Sequence, residues 1–491
     1  MNYTTPEQKG ISSEKIGAFI DRLEKNHLSS HDLIFARGDD IFFETYWAPF
    51  KKDDLHRMYS VSKSFVSMAI GFLVSEGKLS LDDPISKYFP EESEDTKNED
   101  LRRQTVRDML MMSTSQLQRN WFEVRTDDRV AVYFENSGAQ SRPSGTTFWY
   151  DSSGSFVLGA LVEKLSGMPL LSYLRARCLD EIGFSKEAYC LKCPGGHSWG
   201  DSAIICKPTD LLKAARFMLN GGKWNGKQLL DADYVKAATS KQLDNNLQGE
   251  KNFDTCGYGY QFWITYQNSF YFFGMGSQFA VCVPGKDLIM IYNGDNQGCA
   301  YADKVIMDSF FELIVDPASD KPLADDPKAL QALEKRCETL SLSLAEGNMT
   351  SPLASELNGK VFTMDPNPMG ISKLSFTFNG NKGKLSYTNG QGDKELLFGF
   401  GHQEIGNFPE EGYSDEIGSQ YAAGRYYRCA ASAAWVEPQK LYLNVQIIDT
   451  YFGRLHMTFG FRNGRIGVYM TKTAEDFLDK YQGFAGGIVE R

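Results

Sequence analysis

Between Met58 and Lys78 lies a stretch, Ser60–Gly77, in which Val61, Phe65, Met68, Ala69, Phe72 and Leu73 recur at helical spacing with little polar relief. The spacing predicts a helix, and Gly77 supplies a left-handed stop. A helix that is apolar nearly all round has no face to offer to water, so it has to run through the middle of a domain. Whatever fold the chain adopts must wrap other elements around this one.

The flanking sequence supplies those elements. Residues 13–27 read as an amphipathic helix through Ile16, Phe19, Ile20 and Leu23, and LIFAR and DIFFETYW read as two strands around the Arg37–Asp40 turn. Further helices fit Val106–Met112, Ser155–Leu165 and Pro208–Leu219. Phe270–Gly294, broken at Pro284–Gly285–Lys286, reads as two adjacent strands. Strands at both ends with helices between them predict an α+β domain over residues 1–315, an antiparallel sheet flanked by helices.

At 491 residues the chain exceeds one core, so a second domain is expected. Asp316–Lys328, rich in proline and aspartate, opens a linker with a short helix over residues 316–354. From 355 to 491 the period changes to two. Leu374, Phe376 and Phe378, then Leu441, Leu443, Val445 and Ile447, then Leu455, Met457, Phe459 and Phe461 alternate with polar neighbours. The turns Asn379–Gly380 and Asn463–Gly464 fall between strands. That predicts an antiparallel β domain, a sandwich or small barrel.

Charge and cysteine usage narrow the function classes. A net charge of −11 repels a phosphate backbone or an anionic lipid surface, and no basic patch offsets it. Neither a nucleic-acid nor a membrane partner is expected. The start MNYTTPEQKGISSEK has no basic and apolar leader pattern, which predicts a cytoplasmic protein. Nine scattered cysteines do not form a disulfide framework. The Cys190–Cys193 pair lacks the second ligand pair that a zinc site needs, so no metal is expected.

An S-x-x-K pattern sets two side chains one helical turn apart on one face, where a lysine amine can reach a serine hydroxyl. It occurs at Ser12–Lys15, Ser60–Lys63 and Ser75–Lys78. The first opens an exposed helix and the third spans a helix end. Only Ser60 stands at the start of a buried helix, with Lys63 carried inside the first turn, where burial disfavours an ammonium and favours proton relay. The competing reading makes Ser60 a simple N-cap and lets Lys63 reach solvent.

The segment MYSVSKSFVSMAIGFLVSEGKLSLDDPISKYFP resembles the first motif region of the serine β-lactamase, penicillin-binding-protein and related esterase superfamily. TVRDMLMMSTSQL (105–117), PSGTTFWYDSSGSFVLGALVEKLSG (143–167), the 207–229 stretch and GYGYQFW (257–263) are similar to later family segments in the same order. The resemblance covers residues 1–315 and implies a β-lactamase/transpeptidase-like fold. It also implies Ser60 as nucleophile, with Lys63 and Tyr150 handling protons. Tyr150–Asp151–Ser152 takes the place of the family's Tyr-x-Asn, so Ser152 offers a hydroxyl instead of an amide. In GMGSQFAVCV the third motif falls on Met275, Gly276 and Ser277, without the family's cation. A backbone N–H near Ser277 or Gln278 would join that of Ser60 in an oxyanion hole.

These expectations describe a serine hydrolase acting through an acyl-enzyme on a small ester, amide or peptide substrate, without a cofactor. An esterase, amidase or peptidase fits better than a β-lactamase, because the cation for a substrate carboxylate is missing. The alternative is a catalytically silent relative that binds a ligand or protein in the same cleft, a reading fed by Ser152 and Met275. His197 reads as a surface or core residue. Trp121, Trp199 and Trp263 read as packing, with pocket lining the other possibility.

Overall fold

The computed structural model describes residues 2–115, 121, 126–135, 142–249, 251–413, 421–450, 452–472 and 483–490. The chain divides into two compact units. The first comprises Met1–Asn296 with Ala300–Leu340, and the second Gln297–Cys299, Ser341–Ser414 and Gln420–Arg491.

The first unit holds a seven-stranded sheet of β1 (Asn2–Tyr3), β2 (Ser30–Arg37), β3 (Asp40–Tyr46), β4 (Trp263–Thr265), β5 (Ser269–Gly274), β6 (Gln278–Val283) and β7 (Leu288–Gly294). Their order is β1-β3-β2-β7-β6-β5-β4, so strands from the two ends of the segment meet where β2 pairs antiparallel with β7. Apart from the parallel β1–β3 pair, the ladder is antiparallel. Phe270–Gly294 forms three strands, not the two expected. Gly276 and Ser277 both adopt positive φ (82° and 72°), a conformation that ends β5 and starts β6. One consequence is that the third-motif residues sit in a turn.

Four longer helices frame the sheet: α1 (Ser13–Lys25), α2 (Val61–Ser75), α3 (Ser152–Ser166) and α4 (Pro208–Leu219). Every residue of α2 from Val61 to Leu73 is buried, as its all-round apolar pattern demands. Phe65 meets Phe272 of β5 edge-on at 6.4 Å and Phe184 at 5.8 Å. Truncating such a buried phenylalanine to alanine costs about 3–5 kcal/mol. Two close approaches fix what surrounds the start of α2. A Cβ on Gly200 would lie 2.9 Å from Val66 Cγ2, and one on Gly274 only 2.2 Å from the Met58 carbonyl oxygen. Only glycine lets the 200–201 loop and the end of β5 come this near to the helix and to the residues that lead into it.

Among the described residues of the second unit ten strands form one sheet, antiparallel except where Gly392–Phe400 also pairs in parallel with Tyr421–Glu437, at Gly399↔Ser432 and Phe400↔Ala433, closing it into a barrel. The period-two positions point inward. Leu441, Leu443, Val445, Ile447, Leu455 and Phe459 are fully buried, and Phe376 meets Phe459 edge-on at 5.0 Å. Asn463 and Gly464 both take positive φ, as the Asn-Gly hairpin signal requires.

Candidate active site

The approach to α2 is strained. Tyr59 is buried at φ 46°, unusual for an aromatic residue, and the Arg57 guanidinium covers its ring at 4.5 Å. Backbone strain of this kind persists only where the surroundings enforce it. Here Met58 N–H donates to the Ile204 carbonyl, and Ile204 N–H donates back to Ser62 Oγ at 2.9 Å. Ser64 Oγ donates to the Gln261 carbonyl on the other side of the helix at 2.7 Å. The first turn of α2 is therefore held from both flanks.

Ser60 occupies the N-cap of α2, but its hydroxyl makes no capping hydrogen bond. It accepts instead from Lys63 Nζ, at 2.9 Å. Lys63 is 1% exposed, which excludes the arrangement in which it reaches solvent. Its second acceptor is the backbone carbonyl of Asp201 at 2.6 Å. The ammonium also lies over the Tyr150 ring, 5.1 Å from the ring centre, within cation–π range. Ser60, Lys63 and Tyr150 thus come together from two elements far apart in sequence.

Tyr150 precedes α3, whose N-cap Asp151 accepts from Ser153 N–H at 2.9 Å. Burial pushes the Asp151 carboxyl up, against the hydrogen bonds from Ser153 and Thr114. Half-buried Ser152 is the first residue of the helix. The Trp263 ring stacks on Tyr150, centroids 5.7 Å apart, and Tyr271 also stacks with Trp263 at 6.2 Å. Trp263 is therefore the packing support of a candidate proton carrier. Trp121 and Trp199 instead flank the Arg129 guanidinium, 4.9 and 4.3 Å from their rings.

The third-motif residues divide by role. Met275 is 43% exposed. Ser277 turns its hydroxyl away to Asp303 at 2.6 Å. Buried Gln278 donates its amide to the Met275 and Gly294 carbonyls at 3.1 and 2.6 Å, so that its side chain clamps the turn. The Gly276 carbonyl accepts from Asn296 N–H at 3.1 Å. Gly274, packed on Met58, brings this turn to the residues that precede Ser60. His197 pairs with Glu163 at 2.8 Å, near the opposite end of α3. All nine cysteines are free, and no group of metal-ligating side chains occurs among the described residues. Residues 116 and 117 of the 105–117 segment lie outside the described residues.

Sequence reasoning missed Asp201. It belongs to no periodic run, and only the close packing of Gly200 on α2 places its carbonyl on Lys63.

The family model described as Beta-lactamase matches residues 18–298. The chain is 22% identical over 279 residues to a 6-aminohexanoate-dimer hydrolase of Paenarthrobacter ureafaciens, covering 53% of this chain and 71% of that protein. Among solved structures it is similar to the D-amino acid amidase from Ochrobactrum anthropi SV3. That match has TM-score 0.50 and 16% identity, over 62% of this chain and 99% of the other. A second structure, EstCE1, a hydrolase with promiscuous acyltransferase activity, matches with TM-score 0.50 and 14% identity, over 61% of this chain and 97% of the other. At these identities the two structures show a shared fold.

Proposed function

The chain belongs to the beta-lactamase family, and on that premise we propose that it is a serine hydrolase in which Ser60 attacks the carbonyl carbon of an amide or ester. The Lys63 Nζ to Ser60 Oγ hydrogen bond carries the reading, since it joins a hydroxyl free of capping duty to a buried amine. The Ser60 proton passes to the Lys63 and Tyr150 pair as the new C–O bond forms and the carbonyl electrons move onto oxygen. That oxyanion is held by the N–H of Ser60 and a second N–H from the turn at Ser277 or Gln278. Collapse expels the amine or alcohol, which takes the proton back from the same pair. Water then repeats the sequence on the acyl-enzyme. The 6-aminohexanoate-dimer hydrolase and the D-amino acid amidase to which the chain is similar are named as a hydrolase and an amidase, which supports this substrate class.

Labelling with a fluorophosphonate, followed by mass spectrometry of the adduct, tests the assignment. Ser60 is expected to carry the label, and Ser60→Ala to abolish both labelling and turnover of a short-chain p-nitrophenyl ester. Labelling confined to Ser12 or Ser75, or full activity in the alanine variant, overturns it.

A further inference from the structure

Asp201 offers more than a carbonyl to the lysine. Its side chain is fully buried, and neither carboxylate oxygen has a hydrogen-bond partner of ordinary geometry on another described residue. Leaving a carboxylate in this condition is costly unless opposite charge stands close by. Positive charge acts on it from three elements: Arg57 of the short strand His56–Arg57, Arg129 of the helix Arg129–Glu135, and Lys63 of α2 when its amine holds a proton. A further titratable neighbour among the described residues is Cys190, which burial keeps as a thiol. Gly200 permits the approach, because any larger residue there would meet Val66 and Leu170 and push the loop off α2.

We propose that Asp201 is the positioning residue of Lys63: its carbonyl fixes Nζ against Ser60, and its ionised carboxylate balances the charge on Lys63 while the serine proton is in transit. The inference rests on the reading of Ser60 and Lys63 given above. Burial pushes the Asp201 carboxyl up to about 6, with Lys63, Arg129, its own backbone N–H and Arg57, in that order, holding it from rising further. It follows that the carboxylate loses its charge within an accessible pH range, and catalysis should weaken with it.

The test compares the pH dependence of p-nitrophenyl ester hydrolysis by the full chain and by Asp201→Asn and Asp201→Ala, both of which keep the carbonyl. In the native protein kcat/KM is expected to rise between about pH 5 and 7, around the Asp201 midpoint. In both variants that rise should vanish. At pH 8 their kcat should fall about tenfold, the equivalent of one pKa unit of altered interaction, with KM unchanged. A residue with a merely structural role would lower activity equally at every pH. Variant profiles parallel to the native one, or native kcat at pH 8, would overturn the proposal. Fluorophosphonate labelling separates the two levels. If native Ser60 is not labelled, the reading of the site fails. If it is labelled and the variant profiles keep the native shape, only the role of Asp201 fails.

Discussion

Lys63 Nζ lies 2.9 Å from Ser60 Oγ across one turn of a helix that is buried on every side. Lys63 is buried, so its amine does not swing out to solvent and the contact belongs to the resting fold.

Removing either proton partner should therefore leave the fold and lose the rate. Lys63→Ala and Tyr150→Phe are each expected to cost about 10²-fold or more in kcat for an ester, the scale of general acid–base catalysis, with circular dichroism unchanged. Near-native kcat in either variant would remove that residue from the mechanism.

Gly274→Ala addresses the seating of the third-motif turn. Its Cβ would stand 2.2 Å from the Met58 carbonyl oxygen, a backbone atom that cannot swivel aside as a side chain does. Overpacking of this kind costs about 1–3 kcal/mol. The expected result is a lower Tm, together with slower fluorophosphonate labelling as β5 shifts off the residues before Ser60. Native Tm and labelling rate would show that the strand end does not help to seat the nucleophile.

The parts of this architecture written in periodicity were legible beforehand. The all-round apolar pattern of Val61–Leu73 required a central helix, and the alternation at Leu441–Ile447 required strands with one buried face. The Asn463–Gly464 hairpin was equally plain. What escaped was carried by close contacts between distant residues. Nothing local marks Gly200 as the glycine that sets Asp201 on Lys63, or Trp263 as the ring beneath Tyr150. The third-motif turn carries the pattern of a strand because Gly276 and Ser277 lie between two runs of strand-forming residues, and their positive φ has no periodic signature. The side chains of Ser277 and Gln278 serve Asp303 and the turn, so the oxyanion role expected near these residues rests on their backbone N–H groups alone.

Met275 should set the charge preference. A thioether offers almost nothing to a substrate carboxylate, whereas a cation there would give a charge-assisted hydrogen bond worth about 1.5–3 kcal/mol. That corresponds to roughly one to two orders of magnitude in kcat/KM. The protein is expected to hydrolyse benzylpenicillin or nitrocefin poorly and uncharged esters or amides well, and Met275→Lys to move the ratio toward anionic substrates. Efficient β-lactam hydrolysis by the native protein would place the deciding charge elsewhere.

The barrel closes its own core, and Ser60, Lys63 and Tyr150, the residues proposed for catalysis, all belong to the first unit. A chain ending near residue 350 is expected to fold and to keep the reactivity of Ser60 toward a fluorophosphonate. A soluble, folded truncation without that reactivity would mean that the barrel helps to build the cleft.

Asp201 should make the fold less stable in neutral solution than the chain could otherwise be. Its folded carboxyl, at about 6, lies above the ordinary 3.8, so the folded state holds the proton more tightly than the unfolded one. The associated stability is complete below about pH 3.8 and is lost as pH rises through about 6. A gap of about two pH units, at about 1.4 kcal/mol each, corresponds to roughly 3 kcal/mol. Asp201→Asn carries no charge to bury, so it is expected to be more stable than the native protein at pH 8, by up to that amount, and to match it near pH 3.5. His56 and His456, both pushed down to about 4 chiefly by burial, weaken the folded state as pH falls below 6.5. They do so in both proteins and cancel in the difference. Denaturant unfolding at the two pH values measures it. Equal stability of the two proteins at pH 8 would show that Lys63, Arg57 and Arg129 already compensate the carboxylate in full. A variant that gains stability and loses kcat would show why a fully buried carboxylate is kept next to this lysine.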